Sequence, residues 1–260
     1  MLPTITWNLN MLDSKACNRA FYDLLWSDTD LIQPDRFNTW HLISELVPFA
    51  TERLEIGPGL RPRLPLAGSR FIDISPFAIE QLARYGGAAV TGSMTDLPFN
   101  DGRFELVCAF DVVEHTKDDW LVFSEVSRVL KEGGRFILSV PLHARLWTKF
   151  DELVGHVRRY DPADLLALLA AHGLVLERSA AYGMQPTNPR LLGFGLWWLE
   201  HRRREALWWY NRILMPLGIF FQKRLEFVVG LIDLSGVDEV VLVCRKQVAT
   251  ASPPRWNYEI

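Results

Sequence analysis

Between Arg53 and Arg245, short apolar runs alternate with longer segments that carry helix boundary signals, and this alternation limits the fold more than any other feature. The runs are RLEI (53–56), RFIDI (70–74), AAV (88–90), FELVCAF (104–110), RFILSV (135–140), LVLERSAA (174–181) and EVVLVCR (239–245). Strand-length runs separated by helix-length segments are the pattern of βαβ units, whose strands lie mostly parallel. Ser75 before Pro76 and Asp161 before Pro162 read as helix N-caps with proline in the first turn, and Gly86 and Gly173 read as the stops of the same helices. A further helix over 118–131 is expected to end at Gly133-Gly134. The expected fold is α/β: a Rossmann-like, seven-stranded, mostly parallel sheet with helices on both faces, its last strand an antiparallel edge.

Texture divides the chain into three segments. Residues 1–50 read as an N-terminal helical lid, with helices over Ala16–Trp26 and Phe37–Phe49; in the second, Phe37, Trp40, Ile43 and Val47 recur at helical spacing. Residues 51–189 and 236–248 carry the sheet, and 190–235 form a Trp-rich helical insertion before the last strand. Trp197, Trp198, Trp208 and Trp209 bracket His201-Arg202-Arg203-Arg204 there. Interleaved indoles and cations suit a bilayer interface. A helical subdomain that caps the substrate pocket or forms a homodimer contact fits the same residues.

Composition narrows the function classes. A formal net charge of −3 offers no general attraction to nucleic acid, and no nucleic-acid partner is expected. The three cysteines, Cys17, Cys108 and Cys244, form no CxxC pair, which fits a reducing cytoplasmic setting and gives no reason to expect a metal. MLPTITWNLNMLDSK has no basic region followed by a continuous apolar stretch, so no signal peptide is expected. The longest apolar runs, such as Ile213–Phe221, are about half the ~20 residues a spanning helix needs.

The first apolar run ends in Leu54-Glu55-Ile56-Gly57-Pro58-Gly59. A glycine turn at the carboxyl end of a strand lets main chain approach a ligand closely. Asp73, at the end of the second run, stands where a carboxylate can accept hydrogen bonds from both hydroxyls of a ribose. Together they point to an adenosine-type cofactor. A dinucleotide site also wants a third glycine and a helix N-terminus for the pyrophosphate, whereas here Arg61 holds that position and Pro62 and Pro65 break the segment after it. An NAD-dependent oxidoreductase is disfavoured on that ground. A cofactor without phosphate tolerates the loss.

At these residues the chain resembles the class I S-adenosylmethionine (SAM)-dependent methyltransferases, in particular the broad family containing ubiquinone and menaquinone biosynthesis methyltransferases. The matching words, in order, are LEIGPG, FIDIS, TDLPF, NDGRFELVCAFDVVEH, EVSRVLKEGGRFILSVP and GHVRRYDPADLLALLAAHGL. The resemblance spans about Arg53 to Gly183 and leaves the insertion uncovered. It implies that Gly57 and Gly59 pass their main chain along the methionyl part of SAM, that Glu55 reaches its amino group through water, and that Asp73 holds the ribose. It further implies that Ile74 packs on the adenine, that Met94 to Leu97 border the adenine edge with Asp96 taking the exocyclic amine, and that Ala109 and Phe110 lie beside the reactive methyl. Arg61, which departs from the family pattern, is a candidate for the methionine carboxylate.

The implied activity is methyl transfer from SAM to a small-molecule or lipid-like acceptor; the alternative is a non-catalytic SAM-binding or interaction module with the same fold. The cofactor supplies the leaving group, so protein residues contribute alignment, exclusion of water and, where needed, a base. His115, His143, His156 and Asp151 are the candidates for that base. The expected location is cytoplasmic, with peripheral contact to the inner membrane if the insertion meets lipid.

Overall fold

The computed structural model describes residues 22–26, 29–183 and 189–248; part of the expected first helix, 16–21, lies outside the described residues. The strands are β1 (Arg53–Ile56), β2 (Ser69–Asp73), β3 (Ala88–Thr91), β4 (Phe104–Phe110), β5 (Leu130–Pro141), β6 (Leu174–Tyr182), β7 (Val228–Val229) and β8 (Glu239–Lys246). They form one sheet in the order β3-β2-β1-β4-β5-β8-β6-β7. Neighbours from β3 to β5 pair in parallel, while β8 runs antiparallel to both β5 and β6, and β7 antiparallel to β6.

Three expectations need correction. The sheet has eight strands rather than seven, because Val228–Val229 adds a two-residue edge inside a segment read as helical. The last strand is antiparallel as expected, yet it is interior. Val240 to Cys244 are at most 1% exposed, and a run this apolar on both faces belongs between neighbours. The helix over 118–131 also ends early, at Val129, since Leu130 already pairs with Phe104. The Gly133-Gly134 pair lies inside β5, where the register to β4 slips between Phe104 and Leu106.

The helices are α1 (Trp40–Leu46), α2 (Pro76–Arg84), α3 (Asp119–Val129), α4 (Lys149–Val154), α5 (Pro162–Ala171), α6 (Pro189–His201), α7 (Arg203–Trp209) and α8 (Met215–Phe221), with a π-helical turn over Tyr210–Leu214. The expected caps are present: Ser75 accepts from the N–H of Ala78 at 3.3 Å, and Asp161 from that of Ala163 at 2.9 Å. Side chains alternate across the sheet. Leu54, Ile56, Val107, Phe136 and Leu138 pack with Val122, Phe123 and Val126 of α3 and Leu165 and Leu169 of α5. Phe71, Leu106, Cys108 and Ile137 pack on the other face with Leu82 of α2 and Leu42, Ile43 and Leu46 of α1.

No helix joins β1 to β2: residues 57–68 are irregular. On the face such a helix would cover, α1 packs together with Leu64 and Leu66 of the crossover. Leu42, Ile43 and Leu46 are buried there, each contributing about 1.5–3 kcal/mol by leaving water. The apolar stripe read from Trp40 to Val47 is therefore a layer of the core.

Candidate active site

The carboxyl ends of β1, β2 and β4 open into a cavity of about 300 Å³, at the lower end of the ~300–1,000 Å³ usual for small-molecule sites. Gly57 and Gly59 lie on its wall with φ of +65° and +52°, a conformation that side chains with a Cβ disfavour. Space forbids a Cβ as well: at Gly57 it would stand 2.4 Å from Val112 Cγ2, and at Gly59 2.3 Å from Trp26 Cζ2. Asp73 faces the same turn. Its Oδ2 accepts from the N–H of Gly59 at 2.9 Å and its Oδ1 from that of Ser75 at 2.8 Å. Burial lifts its carboxyl above the ordinary range, opposed by the N–H groups of Ser75, Gly59 and Ile74. Ile74, Ser75 and Thr91 to Thr95, Met94 among them, continue the wall, and Tyr22 and Trp26 lie on it from the N-terminal side.

Glu55 does something other than what the resemblance implies. Its side chain is 1% exposed, outside the cavity lining, and accepts from the N–H groups of Arg63 at 2.9 Å and Leu64 at 2.8 Å. The crossover has no helix to satisfy its main chain, and this carboxylate folds it back instead. Burial pushes Glu55 up to about 7 against the pull of those two N–H groups. Arg61 is likewise engaged elsewhere. It lies over the rings of Trp26 and Tyr210, 4.9 and 5.2 Å from their centroids, and donates to Asn211 Oδ1 at 3.2 Å.

Beyond β4 the lining passes to Asp111, Val112, His115 and Thr116, while Ala109 and Phe110 are 0% and 8% exposed and point into the core clusters. On β4, then, the two residues the resemblance implies lie just before the ones that reach the cavity. Asp111 holds φ of +52°, unusual for a residue with a side chain, and its N–H donates to the Ser139 hydroxyl at 3.0 Å. Asp96 is exposed and Leu97 buried, and neither lines the cavity; the N–H of Leu97 is taken by Glu125 at 2.7 Å.

The base candidates separate. His115 lines the cavity; its Nδ1 donates to the carbonyl of Gly155 at 3.0 Å, so its Nε2 accepts from the Tyr22 hydroxyl at 3.1 Å. Burial and the neighbouring His156 push its imidazole down to about 3, so it is neutral at physiological pH. His156 stands behind it, ring centroids 4.8 Å apart, with Nδ1 2.8 Å from Asp151 Oδ1. Asp151 also accepts from Arg159 Nε at 2.9 Å, and Arg159 reaches on to Asp238 at 2.7 Å. Asp151 is wholly committed to this buried network. His143 is outside the cavity, its Nε2 bonded to the carbonyl of Leu234 at 3.0 Å.

Bare main chain, an acid at the tip of the adjacent strand, and an apolar wall of Ile72, Ile74, Met94 and Val112 fit a nucleoside bearing a short polar tail. Tyr22, Trp26, Asp111 and Thr116 line the site without having been expected there. Only the FDVVEH word, whose acid directly succeeds Phe110, carried a signal for Asp111.

Comparison with known proteins agrees with this geometry. Residues 55–138 match the model of a methyltransferase domain. An uncharacterized methyltransferase of Mycobacterium sp. (strain KMS) is 27% identical over 203 residues, covering 68% of this chain and 79% of that protein. A sarcosine/dimethylglycine N-methyltransferase of Halorhodospira halochloris is 42% identical over 55 residues, 21% of this chain and 20% of its own. A crystal structure of a SAM-dependent methyltransferase from Thermotoga maritima shares the fold, with a TM-score of 0.59 at 14% identity over 90% of this chain and 100% of that one. Fold, matched domain and relatives together support a class I SAM-dependent methyltransferase, with S-adenosylmethionine as its cofactor.

Proposed function

We propose that the chain transfers the methyl group of SAM to a small-molecule or lipid-like acceptor, as the broad ubiquinone- and menaquinone-type methyltransferases do with theirs. The observation that carries this is the cavity in which Gly59 and Asp73 meet, joined by a 2.9 Å hydrogen bond, beside an otherwise apolar wall. Bound SAM would supply an electrophilic methyl on a sulfonium that keeps the departing electron pair, and the acceptor's proton would pass to solvent or a base.

The chain's own contribution is position. Asp73 holds the ribose hydroxyls through carboxylate lone pairs that its main-chain bonds leave over, and Gly57 and Gly59 admit the methionyl portion where any Cβ would collide. Ile74 and Met94 flank the adenine. Tyr22 and Trp26, on the lid segment 1–50, exclude water above the reacting centre. Neutral His115 orients the Tyr22 hydroxyl and is too weakly basic to take a proton outright. Calorimetric titration with SAM tests the reading. Wild type binds, and Asp73→Ala, losing a charged acceptor, binds about 10- to 100-fold more weakly; no binding by wild type ends the proposal. Binding without turnover across an acceptor panel favours the non-catalytic module.

A lipid-like acceptor is favoured by the insertion 190–235. Phe194, Trp197, Trp208, Trp209, Phe220 and Phe221 are between 45% and 75% exposed. Arg202, Arg203, Arg204, Arg212, Lys223 and Arg224 outnumber Glu200, Glu205 and Glu226 around them, although the chain as a whole is acidic. Among the described residues no helix is long and apolar enough to cross a membrane. The proposed contact is therefore peripheral, at the cytoplasmic face of an anionic bilayer. A homodimer through the same surface is the competing outcome, and it shows as a doubled mass in solution.

A further inference from the structure

The fold brings His156 against a pair of neighbours, Glu114 and His115, that lie far from it in the sequence. Glu114 and His115 follow β4, and His156 follows α4, about forty positions later; one ligand-type atom from each lies within 4.8 Å of the others. Each imidazole is held by its Nδ1, His115 on the Gly155 carbonyl at 3.0 Å and His156 on Asp151 at 2.8 Å. This leaves the two Nε2 atoms as the ligand positions, that of His156 3.7 Å from Glu114 Oε1. Fixing a histidine by its far nitrogen on a carbonyl or carboxylate is how proteins orient a metal ligand. Glu114 is 0% exposed, and neither of its carboxylate oxygens has a hydrogen-bond partner. A buried carboxylate without a donor needs a cation or a proton.

We propose that Glu114, His115 and His156 form a binding site for a divalent transition-metal ion at the inner end of the cavity. Two imidazoles and one carboxylate are the ligand set of catalytic zinc and non-haem iron(II) centres, which keep positions open for a substrate or water. Ligand atoms about 2.0–2.2 Å from one tetrahedral ion lie roughly 3.4 Å apart, so side-chain rotations that bring the three atoms together by up to about 1.4 Å close the set. The Tyr22 hydroxyl, 3.1 Å from His115 Nε2, gives up that nitrogen when the ion enters. His115 and Thr116 line the cavity, so the open side of the ion faces the ligand space and takes an oxygen or nitrogen of the acceptor. No metal was expected from the sequence because this site is assembled by topology and leaves no motif spacing there. The role toward an acceptor rests on the methyltransferase proposal; the site itself does not.

The test uses the full chain, stripped with a chelator and then titrated with Zn²⁺ by calorimetry and with Co²⁺ by visible absorption, SAM affinity being measured on the same metal-free sample. One ion per chain is expected, with d–d bands of nitrogen and oxygen ligation. Glu114→Gln, nearly isosteric, lowers the affinity more than 10-fold with an unchanged melting curve, and His156→Asn lowers the affinity to a similar extent. Metal uptake equal in wild type and Glu114→Gln, or no uptake of Zn²⁺, Co²⁺, Mn²⁺ or Fe²⁺, overturns the site and leaves Glu114 a protonated buried acid. SAM binding that survives such a failure leaves the methyltransferase reading standing. Metal binding without SAM binding does the reverse.

Discussion

The crossover after β1 and the helices after β6 solve the same problem in opposite ways. Both lack the regular packing of a βαβ unit. Residues 57–68 have no helix, yet Glu55 collects the N–H groups of Arg63 and Leu64, Asp73 collects those of Gly59 and Ser75, and α1 covers the sheet face left bare. Residues 189–221 are almost all helix, with main chain satisfied internally, but their apolar surface exceeds what the fold takes in. Leu207 packs with Trp26 and Leu60, and Met215 and Ile219 with Phe37, while Trp208, Trp209, Phe220 and Phe221 stay exposed. One region is closed by polar bonds inward; the other is left open by apolar groups outward. Arg61 joins the two through Trp26, Tyr210 and Asn211.

Gly59→Ala breaks the closed side with the largest expected effect. A Cβ at φ +52° costs about 1–2 kcal/mol, and displacing the Trp26 ring adds about 1–3 kcal/mol of overpacking. Urea unfolding is expected to show about 3 kcal/mol of lost stability and titration a loss of SAM binding. Wild-type values for both would mean that the turn and the ring above it are not packed as described.

Glu55 sharpens the same side through pH. Its folded value of about 7 lies above the ordinary carboxyl value of ~4.3, so the folded chain holds a proton that the unfolded chain has released. Stability from this group is full below the unfolded value and falls as pH rises toward 7, by at most ~1.4 kcal/mol per pH unit. Glu55→Gln is expected to flatten the unfolding free energy between about pH 4.5 and 7 relative to wild type. Parallel curves for the two proteins would show that the acid is not buried as a main-chain acceptor.

The contrast between the regions also explains what could be read from sequence. Seven of the eight strands announced themselves because their apolar runs are strand-length and bounded by glycine, proline or caps. Val228–Val229 is too short for any period to show, and the interior position of β8 depends on which neighbours remain unpaired once the sheet assembles. Gly57, Gly59, Asp73, Ile74 and Met94 were legible as lining because strand-end geometry places them within a few residues of a known element. Glu55 was read as a ligand contact, and no local pattern could reveal that the crossover would turn back on it. Tyr22 and Trp26 reach the cavity from a separate helical segment, and Glu114 and His156 meet only through the loop around Gly155, a contact between chain positions with no fixed spacing.

The smallest expected effect tests the open side. If the exposed aromatics rest in a bilayer interface, each phenylalanine withdrawn from water contributes about 1.5 kcal/mol, or roughly tenfold in partitioning. Phe220 and Phe221 are 75% and 73% exposed, so Phe220→Ser with Phe221→Ser removes little from the core and leaves the melting temperature unchanged. Sedimentation with anionic vesicles is expected to drop about 100-fold in apparent affinity for the double variant, and wild type is expected to bind neutral vesicles more weakly than anionic ones as Arg202 to Arg204 lose their counter-charges. A wild-type chain that stays in the supernatant with either lipid, and elutes at twice its mass, assigns the surplus apolar surface to a second copy of itself. The crossover would then still be closed by its carboxylates, and the helices would be closed by symmetry rather than by lipid.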